Sequence, residues 1–413
     1  MHEYFGKLER IMFIARQPIF NSQLEVYGYE LLFRLERQST QFGGISSQGA
    51  TATVITGLYE SGLENLVDDK YAFINFDEIF VHSDALELIE PNRLVVEMLE
   101  NIKIDRLLLE RLEEIKNMGY KIALDDFSRK YLEYPLTTLA DIIKYDILAT
   151  PLETIRTDVA TALSQNKILL AEKVETEEEY IEAKKMGFRL FQGYFFSKPH
   201  IAGKSYNKTT SKSQYIRIIS EVKKEDPSFE RLTELIEHDV TLAYRVMRMA
   251  CFRSGNSQVC SVKYALTYMG LKEIECWISI IMLHDLGKDK PGELKKISLI
   301  RSKFAESLAI HGNLKEYQHS ASMMGLFSVL DAILDQSMEE ALAGIALPSS
   351  ITEALIDHKG ILYPIYELIL ACEKGEWFAV EKISIDLNIS NSELALSYRW
   401  AIQWANEVTS QVI

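Results

Sequence analysis

The chain has 413 residues, 47 % of them hydrophobic, and its 60 acidic and 45 basic residues give a net charge of −15. This length favours two or three domains with sizeable cores, and the acidic surface argues against binding to nucleic acid or to an anionic membrane. The start, MHEYFGKLER, lacks the apolar core of a signal peptide, and no apolar run approaches the length of a membrane span. Four cysteines without a CxxC pair favour free thiols, so we expect a cytoplasmic protein.

Eight strand-like runs occupy the first half of the chain. Amphipathic segments that end at glycine, such as 104–119 and 176–187, separate several of them and predict helices. Eight strands with interleaved helices predict an α/β fold, a barrel of the (β/α)₈ type. The first two strands are close together in sequence, which favours an antiparallel hairpin. The predicted strands are residues 12–17, 26–33, 71–76, 93–98, 120–125, 141–146, 167–172 and 188–191.

The composition changes after residue 200. Residues 201–214 are polar and lack apolar periodicity, which predicts a linker. From about residue 215 onward apolar residues recur at helical spacing, and no strand-like alternation is present. We therefore expect a barrel domain over residues 1–205 and an all-α domain over residues 206–413.

Polar residues lie within or just after the apolar runs of the predicted strands. In a barrel of this type the carboxyl ends of the strands meet at one face, where active sites lie. Oxygen ligands gathered there would bind Mg²⁺ or Mn²⁺, and two adjacent aspartates could serve two metal ions. A polar barrel rim that binds no metal is the alternative interpretation. The residues concerned are Glu30, Asn75, Glu97, Asp125 and Asp126, with Lys144 on the next strand.

These motifs resemble those of the EAL-type cyclic di-GMP phosphodiesterases, which adopt a modified TIM barrel. RQPIF resembles the opening segment of that family, and YELLFR stands at its E-A-L-x-R signature. Leu31 replaces the alanine of the signature, while Glu30 and Arg34 stay in register. The later motifs follow in order up to about residue 200, as INF, VVEMLE, LDDF, IKYD, AEKVET and FQGYFFSKP.

The resemblance implies metal-dependent hydrolysis of one phosphodiester of cyclic di-GMP, giving linear pGpG. Two Mg²⁺ or Mn²⁺ ions would be held by the five oxygen ligands named above. Arg34 would bind a substrate phosphate, which suits the fork of a guanidinium group, and Glu172 would be a general base or a metal-associated carboxylate. The implied catalytic residues are Lys144, Glu172 and Gln192, and the implied substrate-binding residues are Gln17, Arg34 and Asp146.

One loop departs from the family pattern. The family follows its aspartate pair with F-G-T-G, a loop braced by the residue that matches Glu175, whereas this chain reads DDFSRKYLEYPL. Ser128, Arg129 and Lys130 thus stand where glycines would allow unusual backbone conformations. Two hypotheses follow: an active phosphodiesterase, or a sensor that binds cyclic di-GMP and signals through the helical half.

The second half resembles the HDOD domain, which derives from the HD phosphohydrolase fold and typically lacks its metal site. The resemblance rests on GLFSVLDAILDQSMEEAL, LPSSITEALIDHKG and ACEKGEW. It implies an interaction platform for an unknown protein partner, and EAL-like barrels often form homodimers. The pairs His238–Asp239 and His284–Asp285 raise the alternative of a metal phosphohydrolase, but we interpret both as coincidental because His284 closes an apolar helix just before Gly287.

Overall fold

The structure, a computed structural model, describes residues 13–33, 63–99, 102–193, 208–253, 261–288, 290–343, 345 and 347–411. The chain divides into two compact units. The first comprises Met1–Phe196 together with the short segment Cys372–Trp377, and the second comprises Ser197–Ala371 and Phe378–Ile413. The first unit contains the predicted strands, and the second contains most of the predicted helical half.

The first unit is a closed barrel whose eight strands follow one another in chain order. All eight predicted strands are confirmed, although the first extends further than predicted and the last is shorter. The (β/α)₈ prediction for this half is therefore confirmed. The strands are β1 Ile14–Asn21, β2 Val26–Phe33, β3 Tyr71–Phe76, β4 Leu94–Leu99, β5 Lys121–Asp125, β6 Ile142–Asp146, β7 Ile168–Glu172 and β8 Leu190–Phe191.

The barrel departs from an all-parallel arrangement at its first strand. β1 pairs antiparallel with both β2 and β8, whereas the pairs from β2 to β8 are parallel. The predicted hairpin of β1 and β2 is thus confirmed. Gly28 allows β2 to pack closely, because a Cβ atom there would lie 2.7 Å from the Phe73 ring and 2.8 Å from the carbonyl oxygen of Tyr71.

A layer of apolar side chains lies in the barrel interior. Successive side chains of a strand point to opposite faces, so the next inward position lies two residues further along. On β3 to β7 those positions are 75, 97, 125, 144 and 172, and all of them belong to the predicted site. The apolar layer therefore forms the floor beneath the site, and it consists of Ile19, Phe73, Val95, Ala123, Ile142, Leu170 and Leu190.

Helices connect the parallel strands, and two of them lie within the predicted helical segments 104–119 and 176–187. In the second of these, Thr176 and Glu179 form a reciprocal capping box, and Gly187 ends the helix with a left-handed φ of 105°. The helices are α1 Leu63–Val67, α2 Glu78–Val81, α3 Arg106–Asn117, α4 Arg156–Ser164 and α5 Glu177–Met186, with 3₁₀ turns at Asp84–Leu88, Pro91–Arg93, Tyr131–Glu133 and Pro135–Thr138.

The second half of the chain is all-α in the residues that the structure describes, as predicted. Its long central helices bury most of their length; α10, for example, buries Trp277 and the run from Ile278 to Leu283. The helices are α6 Lys208–Val222, α7 Phe229–Glu237, α8 Val240–Arg253, α9 Val262–Met269, α10 Leu271–Leu286, α11 Gly292–His311, α12 Gln318–Phe327, α13 Leu330–Leu334, α14 Met338–Leu342, α15 Ser349–Leu355, α16 Tyr363–Lys374, α17 Trp377–Asp386 and α18 Asn391–Gln411, with a 3₁₀ turn at Lys315–Tyr317.

The predicted linker is partly helical, so that prediction was wrong for residues 208–214. Helix α6 begins at Lys208, and residues 201–207 lie outside the described part of the chain. The polar tract continues into an amphipathic segment in which Tyr215, Ile218 and Ile219 are buried. Packing of that apolar face stabilises a helix whose first turns have no apolar periodicity of their own.

None of the helices in the described residues is long and apolar enough to cross a membrane.

Candidate functional site

The predicted site residues lie at the carboxyl ends of the barrel strands, directly above the apolar floor. The register of the sheet sets Asn75 beside Glu97 and Asp146 beside Glu172. We call the group formed by Glu30, Asn75, Glu97, Asp125, Asp126 and Glu172 the carboxylate cup. Within it Glu30, Glu97, Asp125 and Glu172 are buried, whereas Asp126 is exposed.

Lys144 is the centre of the cup and is completely buried. Its Nζ lies 2.7 Å from Glu97 Oε1, 2.7 Å from Asp125 Oδ1 and 3.0 Å from Glu172 Oε1. Glu30 Oε2 lies further away, at 3.6 Å. Four strands thus direct carboxylates at one ammonium group, and the negative charge of the cup exceeds the positive charge.

Burial and mutual repulsion perturb the pKa values of these groups. Desolvation, together with the charges of Glu30 and Asp125, raises the pKa of Glu97 well above its ordinary value. Burial disfavours the charged form of Lys144, but the surrounding carboxylates outweigh it and raise the pKa of that ammonium. Burial raises the pKa of Glu172 to about 8, with Asp125 and Glu30 adding to the effect and Lys144 opposing it.

A hydrogen-bond chain holds Glu30 from the side of β1. Gln192 Nε2 donates to Glu30 Oε2 at 2.8 Å and to Gln17 Oε1 at 2.9 Å. Gln17 Nε2 in turn donates to the backbone carbonyl of Glu373 at 2.9 Å. Glu373 belongs to the segment Cys372–Trp377 of the first unit, in which Trp377 packs edge-on against Phe13 at 5.6 Å. Sequence reasoning found both glutamines but had no signal for the segment that holds Gln17.

The adjacent aspartates lie at a sharp turn of the backbone. Asp126 has a left-handed φ of 46°, and the next residue, Phe127, is fully buried with its backbone N–H donating to the carbonyl of Lys144 at 3.0 Å. The buried ring anchors the turn, so both carboxylates stay at the same end of β5. The ligand oxygens of Asp125, Asp126 and Glu172 all lie within 4.8 Å of one another.

The cup fits a hard divalent cation. Several buried oxygens in it accept no hydrogen bond: both carboxylate oxygens of Glu97, Oε2 of Glu172 and Oδ1 of Asn75. Oε1 of Gln192, beside the cup, accepts none either. Glu97 is close enough to Lys144 for an ion pair, but the hydrogen-bond geometry between them is poor. Buried oxygens without donors are costly unless a cation satisfies them, and an all-oxygen set suits Mg²⁺, Mn²⁺ or Ca²⁺. Among the described residues, Asp125, Asp126 and Glu172 are the one such group that could hold a metal ion.

Asp146 and Lys173 form an ion pair beside the cup. The Oδ1 atom of Asp146 accepts from the backbone N–H groups of Leu148 at 2.9 Å and Ala149 at 3.1 Å, while Oδ2 accepts from the Lys173 ammonium. Burial alone would raise the pKa of Asp146, but these bonds outweigh it and lower that pKa. Sequence reasoning missed Lys173, although its place directly after Glu172 in AEKVE was a usable signal.

The remaining predicted positions are Arg34, Glu175 and the loop after β5. Arg34 lies outside the described residues. Glu175 is exposed, and its backbone N–H donates to Glu179 Oε2 at 2.8 Å. In the substituted loop Lys130 pairs with Glu133 at 3.1 Å, and the Arg129 guanidinium lies 5.6 Å from the centre of the Tyr134 ring. Their predicted roles stay predictions.

The two His–Asp pairs of the second half lie at helix ends. His238 directly follows α7, and His284 lies in the last turn of α10. Asp285 accepts from the Tyr215 hydroxyl and, at 2.8 Å, from Arg245. These contacts engage both carboxylate oxygens of Asp285 in packing α6, α8 and α10 together.

Comparison with known proteins identifies the family. A model of the EAL domain matches residues 76–199, and a model of the HDOD domain matches residues 210–347. The uncharacterized protein YuxH of Bacillus subtilis (strain 168) is 34 % identical over 409 residues, which cover 96 % of this chain and 98 % of YuxH. The chain belongs to the EAL–HDOD family. The EAL model lies within residues 11–200, and the HDOD model follows it in the predicted order.

A second relative of this EAL–HDOD protein is the cyclic di-GMP phosphodiesterase CdgJ of Vibrio cholerae, 32 % identical over 400 residues that cover 94 % of this chain and 92 % of CdgJ. Two solved structures are also similar. The manganese and cyclic di-GMP complex of Klebsiella pneumoniae BlrP1 is 22 % identical over 46 % of this chain and 56 % of that chain, with a TM-score of 0.39. Bacillus subtilis YkuI, which has an EAL domain and was solved with cyclic di-GMP and calcium, is 23 % identical over 64 % of this chain and 72 % of that chain, also with a TM-score of 0.39.

Proposed function

We propose that this EAL–HDOD protein hydrolyses one phosphodiester bond of cyclic di-GMP to give linear pGpG, using divalent cations bound in the carboxylate cup. The observation that carries the proposal is the cup itself, in which Lys144 and the Asp125–Asp126–Glu172 group share one end of an eight-stranded barrel. The similarity to CdgJ over nearly the whole chain supports this substrate.

The proposed ligands of two Mg²⁺ or Mn²⁺ ions are the oxygens of the cup. Their fit rests on the buried oxygens that accept no hydrogen bond. When bound, such cations lower the pKa of a coordinated water and neutralise charge on the phosphate. Thiolate ligands are absent from the cup residues, so the site favours these hard ions over zinc.

The side chains of the cup would act on water and substrate as follows. The Lys144 ammonium, held on three sides by carboxylates, would orient the attacking water and stabilise negative charge on the phosphate. Glu172 Oε2 accepts no hydrogen bond, and a carboxylate with a raised pKa can take the proton that the water loses. Gln192 would fix the Glu30 carboxylate through its side-chain amide.

Substrate contacts are proposed at the edge of the cup. Gln17 would contact a base of the ligand, and Arg34 would bind a phosphate. Asp146 would lie near the substrate, with its oxygens already accepting hydrogen bonds from Leu148, Ala149 and Lys173. Glu175 would brace the loop after β5, as the matching residue does in the family that the sequence resembles.

The experiment that tests the proposal is hydrolysis of cyclic di-GMP by the purified full-length protein with Mg²⁺ or Mn²⁺, with products separated by ion exchange. Formation of pGpG that disappears in Glu30→Ala is the expected result. A protein that yields no pGpG with either ion, at enzyme concentrations equal to the substrate, would overturn the proposed reaction.

A sensor is the second candidate, and the loop after β5 is the observation that favours it. Ser128, Arg129 and Lys130 are exposed there and replace the flexible glycines of the family. Lys130 pairs with Glu133, and the Arg129 guanidinium lies near the Tyr134 ring. Calorimetry decides between the candidates: saturable binding of cyclic di-GMP without product formation would identify a receptor. The helical half would then transmit the signal to a protein partner.

We also propose the domain boundaries 1–205 and 206–413, a cytoplasmic location, a protein partner for the HDOD domain, and pairing of the barrel with a second copy. Sedimentation of the full-length protein with and without cyclic di-GMP tests the pairing, since a dimer would double the mass.

A further inference from the structure

Lys173 places a second positive charge beside the carboxylate cup, in addition to Lys144. It follows Glu172 directly at the end of β7, and its backbone adopts a left-handed φ of 54°. The next residue, Val174, is fully buried and its backbone N–H donates to the carbonyl of Gln192 at 3.0 Å. The chain is therefore fixed on both sides of Lys173, and its side chain, 58 % exposed, reaches Asp146 beside the cup.

The Lys173 ammonium interacts with three carboxylates. It is hydrogen-bonded to Asp146 and interacts electrostatically with Asp126 and Glu172. Asp126 and Glu172 are two of the three residues whose ligand oxygens lie within 4.8 Å of one another. A cation bound by that group would therefore experience repulsion from the positive charge of Lys173.

Lys173 also removes a carboxylate from the set of available ligands. The backbone N–H groups of Leu148 and Ala149 occupy one oxygen of Asp146, and Lys173 occupies the other. Without Lys173, that second oxygen would be free to turn toward the cup from the adjacent strand, since β6 and β7 pair Asp146 with Glu172.

We propose that Lys173 is a positioning residue that weakens divalent-cation binding at the Asp125–Asp126–Glu172 group, by repelling the cation and by holding Asp146 out of the ligand set. The inference rests on the proposed function only for the assignment of that group as a cation site. It predicts that one of the two cations exchanges readily and is retained when a negatively charged substrate phosphate offsets the ammonium of Lys173.

Cation affinity of the full-length protein tests this role without any need for turnover. Mn²⁺ is titrated into the nucleotide-free protein, with free Mn²⁺ followed by electron paramagnetic resonance. Lys173→Met removes the charge and keeps the aliphatic chain, and Lys173→Gly suits the left-handed backbone if the Met variant folds poorly. Both variants should bind the more weakly held Mn²⁺ ion about tenfold more tightly, a change of about 1.4 kcal/mol in binding free energy.

Three further variants make the result specific. Lys173→Arg keeps the charge and should bind Mn²⁺ like the original protein. Lys185→Met, on the exposed face of α5, controls for loss of a surface charge and should change nothing. Asp125→Asn should abolish the titration, which assigns it to the cup.

Unchanged or weaker Mn²⁺ affinity in both Lys173→Met and Lys173→Gly would overturn the inference. If either variant also needed more cyclic di-GMP for half-maximal hydrolysis at unchanged Mn²⁺ affinity, Lys173 would be a substrate contact instead. Absence of Mn²⁺ binding in every protein would overturn it as well. Formation of pGpG is measured separately, so a failure of this inference leaves the proposed hydrolysis standing, and inactive protein leaves the Mn²⁺ titration valid.

Discussion

Lys144 and Glu97 form an ion pair at 2.7 Å in which neither side chain is exposed to solvent. Removing two charges from water costs several kcal/mol for each ion, and their attraction offsets this only when other partners complete the geometry. Lys144 divides its charge among further carboxylates, and neither oxygen of Glu97 accepts a well-formed hydrogen bond. The cost of burying this ion pair is therefore poorly offset in the absence of a bound cation, as expected at a site that binds cations.

The first prediction concerns the charge of Lys144. Lys144→Met should lower the free energy of unfolding by about 3–5 kcal/mol in the presence of a chelator, because it leaves buried carboxylates without a counter-charge. Saturating Mn²⁺ should restore most of that loss, and hydrolysis of cyclic di-GMP should fall by about a hundredfold or more. Urea unfolding with chelator and with Mn²⁺ measures the first two effects.

Lys121→Met is the matched control for that prediction. Lys121 begins β5, and its ammonium bonds the hydroxyls of Tyr27 at 2.9 Å and Tyr71 at 3.0 Å. Its replacement should destabilise the protein by the same amount with chelator and with Mn²⁺. A loss in Lys144→Met that Mn²⁺ leaves unchanged would contradict the interpretation.

The second prediction concerns pH. Burial raises the pKa of Glu172 from its ordinary value of 4.5 to about 8, so the folded protein retains a proton that the unfolded chain releases in this interval. The folded state then binds more protons, and the stability of the metal-free protein should fall as pH rises from about 5 to about 8. Glu172→Gln should reduce the fall by a few kcal/mol, on the order expected for this shift.

Urea unfolding between pH 5.5 and 8.5 with a chelator tests the effect of Glu172. Saturating Mn²⁺ should flatten the profile, because a cation binds the ionised carboxylate. Parallel profiles for Glu172→Gln and the original protein would show that another group is responsible.

The third prediction concerns the glutamine that supports Glu30. Gln192→Leu removes the amide that donates to Glu30 Oε2 and Gln17 Oε1. Groups that orient metal ligands typically account for 10–100-fold in affinity or activity, so the Mn²⁺ concentration for half-maximal hydrolysis should rise by about that factor. Gln403→Leu, on the exposed face of α18, is the control and should leave it unchanged. If both variants needed the same Mn²⁺ concentration for half-maximal hydrolysis, Gln192 would have no role in supporting the metal ligands.

The fourth prediction concerns the segment Cys372–Trp377 of the barrel unit. Gly375 has a left-handed φ of 70°, and a Cβ atom there would lie 2.9 Å from Leu32 Cδ1. Gly375→Val should therefore destabilise the protein by about 1–3 kcal/mol and, by displacing the carbonyl of Glu373 that holds Gln17, reduce hydrolysis. Thermal unfolding measures the first effect. Gly292→Ala, in a helix with no atom near the added Cβ, should have no such cost, and equal melting temperatures for the two variants would contradict this account.

Local patterns in the sequence determined the elements of the fold. β2 and β3 lie at their predicted residues because their apolar runs end at turn residues a few positions away. Glycine and the capping residues fixed the ends of α5 in the same way. The acids of the cup were also predictable, since each lies within or just after a buried strand and the carboxyl ends of parallel strands meet at the same face. The start of α6 could not be predicted, because the packing of residues further along the helix outweighed the polar sequence of its first turns.

Tertiary structure alone decided how these residues act on one another. The central position of Lys144, the bond from Gln192 to Gln17, and the link from Gln17 to Glu373 join residues that are far apart in the chain. The pairing of Lys173 with Asp146 likewise needs β6 and β7 side by side. Strand patterns depend on neighbours within a few residues, whereas distances and pKa shifts depend on how the closed barrel brings separate strands together.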